Sequence, residues 1–151
     1  MNKKSVLIVD DDRTILESLK EIFLMKGFEV ETAETGREAI EKSKRRFFNL
    51  MLLDIKLPDM EGTKLLQEVE DTVPKMVKIM VTGYPTLENA VEALNLGADA
   101  YLMKPIDPQK MLQVVEEKLK EQEKEEAFDA EKVKVWIKTR IQKLKMEESE
   151  N

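Results

Sequence analysis

The chain has 151 residues, of which 42% are hydrophobic, with 25 basic and 31 acidic side chains and a formal net charge of −6. This length fits one ordinary domain with a small appendage, and the acidic balance does not favour a nucleic-acid binder. The chain has no Cys and no His, which excludes disulfides, thiolate metal sites and phosphoryl storage on a histidine of its own.

Five short, largely apolar runs predict β-strands, because strands in a sheet covered on both faces are nearly continuous in apolar residues. In chain order the predicted strands are residues 6–9, 28–32, 50–53, 77–81 and 100–103. Apolar residues at helical spacing follow each run and predict helices. These helices cover about 13–25, 35–46, 63–73 and 86–96, and the fifth begins near residue 107.

Residues with strong local preferences mark the ends of these helices. Gly27 and Gly97 are expected to end the first and fourth helices. Thr35 with Glu38 predicts a capping box, and Thr86 predicts a second N-cap. Five βα units in succession predict a (βα)5 α/β fold, with a parallel sheet, right-handed crossovers and helices on both faces.

Polar side chains collect where the predicted strands end, and open parallel sheets bind ligands outside the carboxyl ends of their strands. These residues are Asp10 and Asp11, with Asp12 next, followed by Asp54, Thr82 and Lys104. Taken alone, most of these residues have an ordinary explanation as a helix cap, a turn residue or a solvated lysine. Asp54 is harder to dismiss, because it follows an apolar run at a strand end. Contributions from four strands to one edge together favour a functional carboxylate site.

The chemistry of such a site is restrictive. Three neighbouring carboxylates repel one another and raise each other's pKa, and a hard cation relieves that repulsion. Oxygen ligands suit Mg²⁺. A carboxylate such as Asp54 can also attack phosphorus and form an aspartyl phosphate. Mg²⁺, Lys104 and Thr82 would then stabilise the phosphoryl oxygens.

Four motifs carry a resemblance to a known family. They are VLIVDDD at residues 6–12, LLDIKLPDMEG at 52–62, MVTG at 80–83 and GADAYLMKP at 97–105. Over roughly residues 4–120 the sequence resembles the receiver domain of two-component response regulators. The resemblance implies a flavodoxin-like, doubly wound five-stranded sheet of strand order 2-1-3-4-5. We expect the receiver domain in residues 1–122 and a C-terminal helical extension in residues 123–151.

The resemblance also implies a role for each acidic residue of the site. Asp54 is implied to be the phosphoacceptor. Asp10 and Asp11 are implied to form the acidic pair that holds Mg²⁺, with Asp11 as a direct ligand. Asp54 and the backbone carbonyl of Lys56 would be further ligands, and Asp12 is expected to be only a helix cap.

Three other positions match the family's switch residues. Thr82 resembles the switch hydroxyl that moves toward the phosphoryl group. Tyr101 resembles the switch aromatic residue that swings inward with it, and Lys104 resembles the phosphate-binding lysine. The Lys104–Pro105 peptide bond is implied to be cis.

Lys56 and Tyr84 stand two residues after Asp54 and Thr82. By resemblance, these positions flank the path of the water that hydrolyses the acyl phosphate. Our hypothesis is that their bulk slows dephosphorylation. The alternative is a solvated lysine and a tyrosine packed in a turn.

The resemblance implies a phosphohistidine donor, on a sensor histidine kinase or a histidine phosphotransfer protein. We expect a phosphoacceptor that assists its own phosphotransfer and autodephosphorylation, and no enzyme acting on a separate substrate. Its signal would pass to a downstream protein partner or through a homodimer. No apolar run approaches the roughly 20 residues that span a bilayer, so the expectation is a cytoplasmic protein without a membrane partner or direct nucleic-acid contact.

The predicted extension has its own pattern. No Gly or Pro follows Pro108, so the last helix can continue unbroken. Apolar residues return at Phe128, Val133, Trp136, Ile137, Ile141 and Leu144, the last five on one helical stripe. The favoured expectation is a helix that docks on its own domain or on a second subunit. The alternatives are an effector helix that binds a partner when released, or a linker to an output domain; the extension is too short for a helix-turn-helix domain.

Two other functions fit the fold less well. A Mg²⁺-dependent aspartyl-phosphate hydrolase generally needs a second acid two residues after its nucleophile, where Lys56 stands. A flavodoxin-like cofactor binder is disfavoured by the Asp-rich first βα turn, which would repel a cofactor phosphate unless Mg²⁺ intervened.

Overall fold

The structure, a computed structural model, describes residues 3–150, without the side chains of residues 128, 129 and 150. Within that part of the chain, strands and helices alternate strictly. The strands are β1 (Ser5–Val9), β2 (Glu29–Ala33), β3 (Leu50–Asp54), β4 (Val77–Thr82) and β5 (Ala100–Met103). The helices are α1 (Arg13–Met25), α2 (Gly36–Arg45), α3 (Gly62–Glu68), α4 (Leu87–Asn95) and α5 (Pro108–Glu150).

The strands form one parallel sheet in the order β2-β1-β3-β4-β5, which confirms the predicted fold class and topology. Every residue of β1, β3 and β4 is buried, as expected for strands covered by helices on both sides. The strand order reverses between β1 and β3. In doubly wound sheets a crevice opens at that switch point, outside the carboxyl ends of the strands.

The core has two layers because neighbouring strand residues point to opposite faces of the sheet. One layer includes Leu7 and Leu53 and packs against residues of α2, α3 and α4. The other includes Ile8 and Leu52 and packs against α1 and the first turns of α5. This packing fixes β1 and β3 side by side, with the ends of both strands facing the crevice.

Most helix starts agree with the predicted caps. Asp12 caps α1 and accepts hydrogen bonds from the backbone N–H groups of Thr14 and Ile15 at 2.9 and 3.3 Å. Thr86 caps α4. The capping box at α2 is only half formed. Thr35 accepts the N–H of Glu38, but the Glu38 carboxylate accepts the N–H of Glu34, one residue before the expected partner.

Helix α3 is shorter than predicted. It ends at Glu68, with Val69 as its C-cap. The Thr72 hydroxyl donates to the carbonyl of Pro74 and accepts the N–H of Met76, so side-chain hydrogen bonds hold this segment as a turn. The Val73–Pro74 peptide bond is cis, which was not predicted.

Helix α5 continues for 43 residues, as the absence of Gly and Pro permits. Its side chains pack on the sheet at Met111, Val115, Leu119 and Gln122. From residue 123 to 149 every described residue is exposed. The expected docking of the extension on its own domain was therefore wrong, and docking on a second subunit stays a prediction. The prediction for Phe128 falls outside the described side chains. None of the described helices is both long and apolar enough to cross a membrane.

Candidate functional site

Three carboxylates meet at the switch point. Asp10 directly follows β1 and is only 5% exposed, and Asp54 closes β3 and is 8% exposed. Asp11 is exposed at the rim. Each of the three offers a carboxylate oxygen, and these oxygens all lie within 4.8 Å of one another. The predicted convergence of acids from separate stretches of the chain is confirmed.

Lys104 joins the two buried carboxylates. Its Nζ lies 2.8 Å from Oδ2 of Asp10 and 2.8 Å from Oδ2 of Asp54. The lysine comes to this position because β5 is the edge strand beside β4, and its N–H donates to the carbonyl of Thr82 at 2.8 Å. One ammonium group thus neutralises charge on both carboxylates.

Burial and the contacts between Lys104 and the carboxylates act in opposite directions on the pKa of each group. Burial raises the pKa of Asp10 above its usual value, and the hydrogen bond from Lys104 only partly offsets that rise. Burial also acts to lower the pKa of Lys104, but the hydrogen bonds to Asp10 and Asp54 outweigh it and raise that pKa. Lys104 is therefore a permanent cation at neutral pH.

The remaining carboxylate oxygens are oriented by the backbone. Oδ1 of Asp10 accepts the N–H of Asp12 at 2.9 Å, and Oδ1 of Asp54 accepts the N–H of Lys56 at 3.2 Å. These contacts fix the rotamers of both acids. Asp12 contributes its backbone to the site and uses its own side chain as the predicted cap.

The loop after Asp54 is held by two residues for which the sequence predicted no such role. Gly62 begins α3 against the backbone of Asp54 and Ile55, where an added Cβ would clash with the Asp54 carbonyl. Asp59 accepts the backbone N–H groups of Gly36 and Arg37 at 2.9 and 3.0 Å, which ties the loop to the start of α2. Only the turn tendency of Pro58 and Gly62 signalled this segment in the sequence.

The predicted switch residues lie near the site in distinct environments. Thr82 is fully buried, and its hydroxyl accepts the N–H of Tyr84 at 2.9 Å. The Tyr101 ring packs against the core, and its buried hydroxyl has no hydrogen-bond partner among the described residues. The Lys104–Pro105 peptide bond is cis, as the resemblance implied.

Lys56 and Tyr84 contact each other across the mouth of the site. The Nζ of Lys56 lies 4.4 Å from the centroid of the Tyr84 ring, which is a cation–π contact. Tyr84 is exposed, so it is not the packed turn residue of the alternative interpretation. The effect of this pair on dephosphorylation stays a prediction.

The carboxylate cluster fits a hard divalent cation. The three acids supply only oxygen ligands, and one of them is open to solvent, as suits an ion such as Mg²⁺ that keeps several of its waters. The net negative charge of the cluster also suits a cation, because three acids face one lysine. The assignment of the Lys56 carbonyl as a further ligand stays a prediction.

A parallel (βα)5 sheet with clustered carboxylates and a lysine at the β1/β3 switch point defines a doubly wound α/β domain with an anionic crevice. The model of the response regulator receiver domain matches residues 6–116 of this chain. The chain belongs to this family, the receiver domains of two-component response regulators, which confirms the resemblance.

Named relatives agree with this membership. The transcriptional regulatory protein ZraR of Escherichia coli is 37% identical over 102 residues, which are 68% of this chain and 23% of ZraR. The chain thus spans about a quarter of the length of this curated relative.

Two solved structures match this chain over almost the whole of their own length. The crystal structure of a CheY-like response regulator receiver domain protein from Methanospirillum hungatei JF-1 is 56% identical, with a TM-score of 0.78 over 82% of this chain and 99% of that chain. The beryllofluoride-activated NtrC4 receiver domain dimer, solved in solution, is 34% identical, with a TM-score of 0.73 over 78% of this chain and 98% of that one.

Proposed function

We propose that this chain is the phosphoacceptor of a two-component phosphorelay and takes a phosphoryl group on Asp54 in a Mg²⁺-dependent reaction. The observation that carries the proposal is the Lys104 ammonium, which lies 2.8 Å from both Asp10 and Asp54 at the switch point. A buried carboxylate beside a fixed cation, with two further acids that can hold Mg²⁺, can accept an anionic, tetrahedral group once the metal ion offsets the charge of the acids. Family membership supports the same assignment.

The donor is a phosphohistidine of a sensor kinase or a histidine phosphotransfer protein, and an acyl phosphate can replace it. An oxygen of Asp54 attacks phosphorus, and the O–P bond forms as the P–N bond to the imidazole breaks. The imidazole nitrogen keeps the bonding electron pair and takes a proton from solvent. A carboxylate nucleophile needs no general base, which agrees with a chain that has no His.

The side chains around Asp54 have complementary roles. Asp10, Asp11 and Asp54 would hold Mg²⁺, which would neutralise charge on the phosphoryl oxygens. Lys104 already points at Oδ2 of Asp54 and can follow the charge onto a phosphoryl oxygen without leaving Asp10. The N–H of Lys56 keeps the other Asp54 oxygen oriented.

Phosphorylation supplies the switch. It adds about 1.5–2 negative charges and strong acceptor oxygens. The Thr82 hydroxyl, which now accepts a hydrogen bond from Tyr84, is free to donate its proton to a phosphoryl oxygen. The buried Tyr101 hydroxyl has no hydrogen-bond partner in the described part of the chain, so a change of rotamer would break no hydrogen bond of this group there. A shift of both residues would change the face formed by α4, β5 and the start of α5.

The output is a protein contact, to a downstream partner or to a second copy of the chain. Exposed apolar side chains on the changing face, at Leu87, Val91, Leu94 and Met103, support this form of output. The dimeric, activated NtrC4 receiver domain supports a homodimer. Family membership supports a cytoplasmic location, and the position of Lys56 argues against hydrolysis of separate phosphate esters.

Mass spectrometry of the intact protein tests the proposal. After incubation with acetyl phosphate and Mg²⁺, the wild-type chain is expected to gain one phosphoryl group and Asp54→Asn none. Asp12→Asn is the matched control, because Asn also caps helices and the Asp12 side chain lies outside the carboxylate cluster. Chelation of Mg²⁺ should abolish the adduct. A stable adduct on Asp54→Asn would overturn the assignment, and turnover of phosphate esters would favour a hydrolase.

A further inference from the structure

The C-terminal part of α5 contains two adjacent segments of opposite charge. Residues 116–131 contain eight acidic and three basic side chains. The following residues 132–145, here called the basic segment, contain six basic and no acidic side chains, namely Lys132, Lys134, Lys138, Arg140, Lys143 and Lys145. This sharp change of charge within one continuous helix distinguishes the basic segment from the rest of α5.

The basic segment also carries an apolar stripe, defined as Val133, Trp136, Ile137, Ile141 and Leu144. At 100° per residue these side chains cover an arc of about 140° of the helix surface. All five are exposed, and Trp136 is 67% exposed. Lys134 and Lys143 fall just outside the two edges of the arc, where long side chains can bury their stems and keep their charges in water.

Charge argues against a second copy as the occupant of this stripe. In a parallel pair each basic segment would lie beside its equivalent, with six positive charges on each helix. In an antiparallel pair that matches Val133 with Leu144, Lys134 would face Lys143 of the other copy. Both registers place like charges together, which is destabilising. An antiparallel pair shifted onto residues 118–131 of the other copy would place opposite charges together, but between residues 120 and 131 that stretch is apolar only at Ala127, Phe128 and Ala130. The apolar stripe would then stay largely uncovered. An anionic surface that also offers apolar material fits the basic segment better than a second copy.

Arg140 distinguishes an anionic surface from an apolar protein groove. By helical spacing it lies inside the arc of the apolar stripe, between Trp136 and Leu144. In a protein groove this guanidinium would be buried and would need its own acidic partner. At a lipid surface it can extend to the headgroup phosphates, which it binds with a planar set of donors.

We propose that the basic segment binds reversibly to the surface of an anionic lipid bilayer, with the apolar stripe in the interfacial region. The combination of a basic polar face, an apolar stripe and a tryptophan is that of an interfacial helix. Tryptophan is favoured at that depth because its ring is apolar and its N–H can still be hydrated. This departs from the expectation that the chain has no membrane contact.

The rest of the structure permits this contact. The packed part of α5 has already nucleated the helix, so the segment need not fold on the surface. Lys138 is 16 residues beyond Gln122, about 24 Å along the helix, against a Debye length of about 8 Å at physiological salt. The packed domain is therefore screened from Lys138, whereas the acidic residues that adjoin the segment are not, and Glu131 lies 3.6 Å from Lys134. Because Glu126 lies on the side of the stripe, the helix should approach at a tilt that keeps residues 116–131 off the lipid.

The chain contains its own probe, because Trp136 is the sole tryptophan of the sequence. The full-length protein is titrated with phosphatidylcholine vesicles that contain or lack phosphatidylglycerol, and binding is measured by co-sedimentation and by Trp136 fluorescence. We expect co-sedimentation, a blue shift and protection from acrylamide only with the anionic vesicles, and weakening by salt. Soluble glycerol phosphate should cause no shift, which separates a lipid surface from a site for free phosphate.

Matched variants test the two parts of the surface. Lys138→Glu is expected to weaken vesicle binding at least about fivefold, whereas Lys120→Glu, the same change in the acidic part of α5, should not weaken it. Ile141→Gln is expected to weaken binding about tenfold. Val135→Gln, on the opposite side of the same turns of helix, should leave it unchanged.

The proposal does not depend on phosphorylation, so Asp54→Asn protein should bind the same vesicles equally well. Absence of binding to anionic vesicles would overturn it. Equal losses in Lys138→Glu and Lys120→Glu would do so too, since only overall charge would then matter. A fluorescence shift with acidic polypeptide or nucleic acid but not with vesicles would reassign the segment to a macromolecular partner.

Discussion

A single ammonium group keeps two buried carboxylates together in the unphosphorylated protein. Lys104 lies at hydrogen-bond distance from Asp10 and Asp54, which come from different strands. Removal of one partner from a buried ion pair costs more than the pair itself contributes, because the remaining charges stay buried. Lys104 therefore matters for stability, independently of its proposed role in phosphate binding.

We predict that Lys104→Met lowers the free energy of unfolding by about 2 kcal/mol near neutral pH, less than for a fully buried pair because the lysine side chain is partly exposed. The folded-state pKa of Asp10, already raised by burial, should rise further without the lysine. A carboxyl with a raised folded pKa destabilises the protein above that pKa. The deficit should therefore shrink as pH falls through that value toward the unfolded value of 3.8.

Urea unfolding of the wild type and the variant at neutral pH and near pH 4 measures this difference. Lys110→Met, the same change at an exposed lysine in the first turn of α5, is the control and should be nearly neutral. A deficit that is the same at both pH values would mean that lost packing, and not unpaired carboxylates, explains the effect.

The Lys56–Tyr84 contact leads to a kinetic prediction. If the pair shields the acyl phosphate from water, either Lys56→Ala or Tyr84→Ala removes the cation–π contact and opens the mouth of the site. An exposed cation–π contact is worth about 0.5–1 kcal/mol, so we expect the aspartyl phosphate to decay about two- to fivefold faster in each variant. Decay is followed as loss of the phosphorylated mass after removal of acetyl phosphate. Unchanged decay in both variants would reject the hypothesis.

At the residue scale the sequence predicted the site well, because strand ends are predictable and parallel strands bring their ends to one edge. Asp10, Asp54 and Lys104 lie together as expected. The sequence does not reveal which atoms each side chain contacts. That Lys104 contacts both acids, or that Lys56 stacks on Tyr84, depends on side-chain rotamers that only the packed structure fixes.

At the scale of the elements, the buried side-chain amide of Gln122 connects α5 to the residues that precede β3 and β4. The Gln122 side-chain nitrogen donates to the carbonyls of Asn49 and Lys75 at 2.9 and 2.8 Å, and its oxygen accepts from the Asn49 amide at 3.1 Å. These contacts join α5 to the residues just before β3 and β4. They also mark Gln122 as the last buried residue of the described part of the helix.

We predict that Gln122→Ala destabilises the protein by about 1–3 kcal/mol, because two backbone carbonyls and the Asn49 amide lose a buried partner. Gln113→Ala is the matched control, since Gln113 is exposed in the same helix and the change to Ala favours helix formation. Urea unfolding gives the stability, and hydrogen exchange of residues 115–122 tests whether the end of the packed helix frays. Equal stability of both variants would show that the amide contacts are worth little.

At the element scale, periodicity predicted every strand and helix, and errors occurred where side chains compete with the backbone. Thr72 hydrogen-bonds to the backbone of Pro74 and Met76 in a segment that was predicted to be helical. The Glu38 carboxylate accepts the N–H of Glu34, where the N–H of Thr35 was expected. Gln122 gave no signal at all, because in a charged stretch one glutamine looks like any other solvated residue. Such contacts link positions far apart in sequence, and local patterns do not record them.

On the scale of the whole molecule, the structure consists of a packed receiver domain and a long helix that leaves it. Sheet order followed from the family resemblance, and the helical character of the extension from the absence of Gly and Pro. The apolar stripe predicted docking on the domain or on a second subunit; the first is wrong, because the stripe is exposed, and the second stays a prediction. The six basic residues around that stripe are the feature of the sequence that favours an anionic surface as its partner.

Removal of residues 127–151 tests this division of the molecule. The described residues beyond Gln122 are exposed, so the shortened protein should keep its free energy of unfolding within about 0.5 kcal/mol and should accept a phosphoryl group from acetyl phosphate as before. A second variant that ends at Leu119 also loses the Gln122 contacts and should be clearly less stable. Urea unfolding and intact mass measure the two properties. A loss of more than about 1 kcal/mol in the first variant would mean that the extension packs on the domain in solution, because removal of solvated helix alone costs the folded domain nothing.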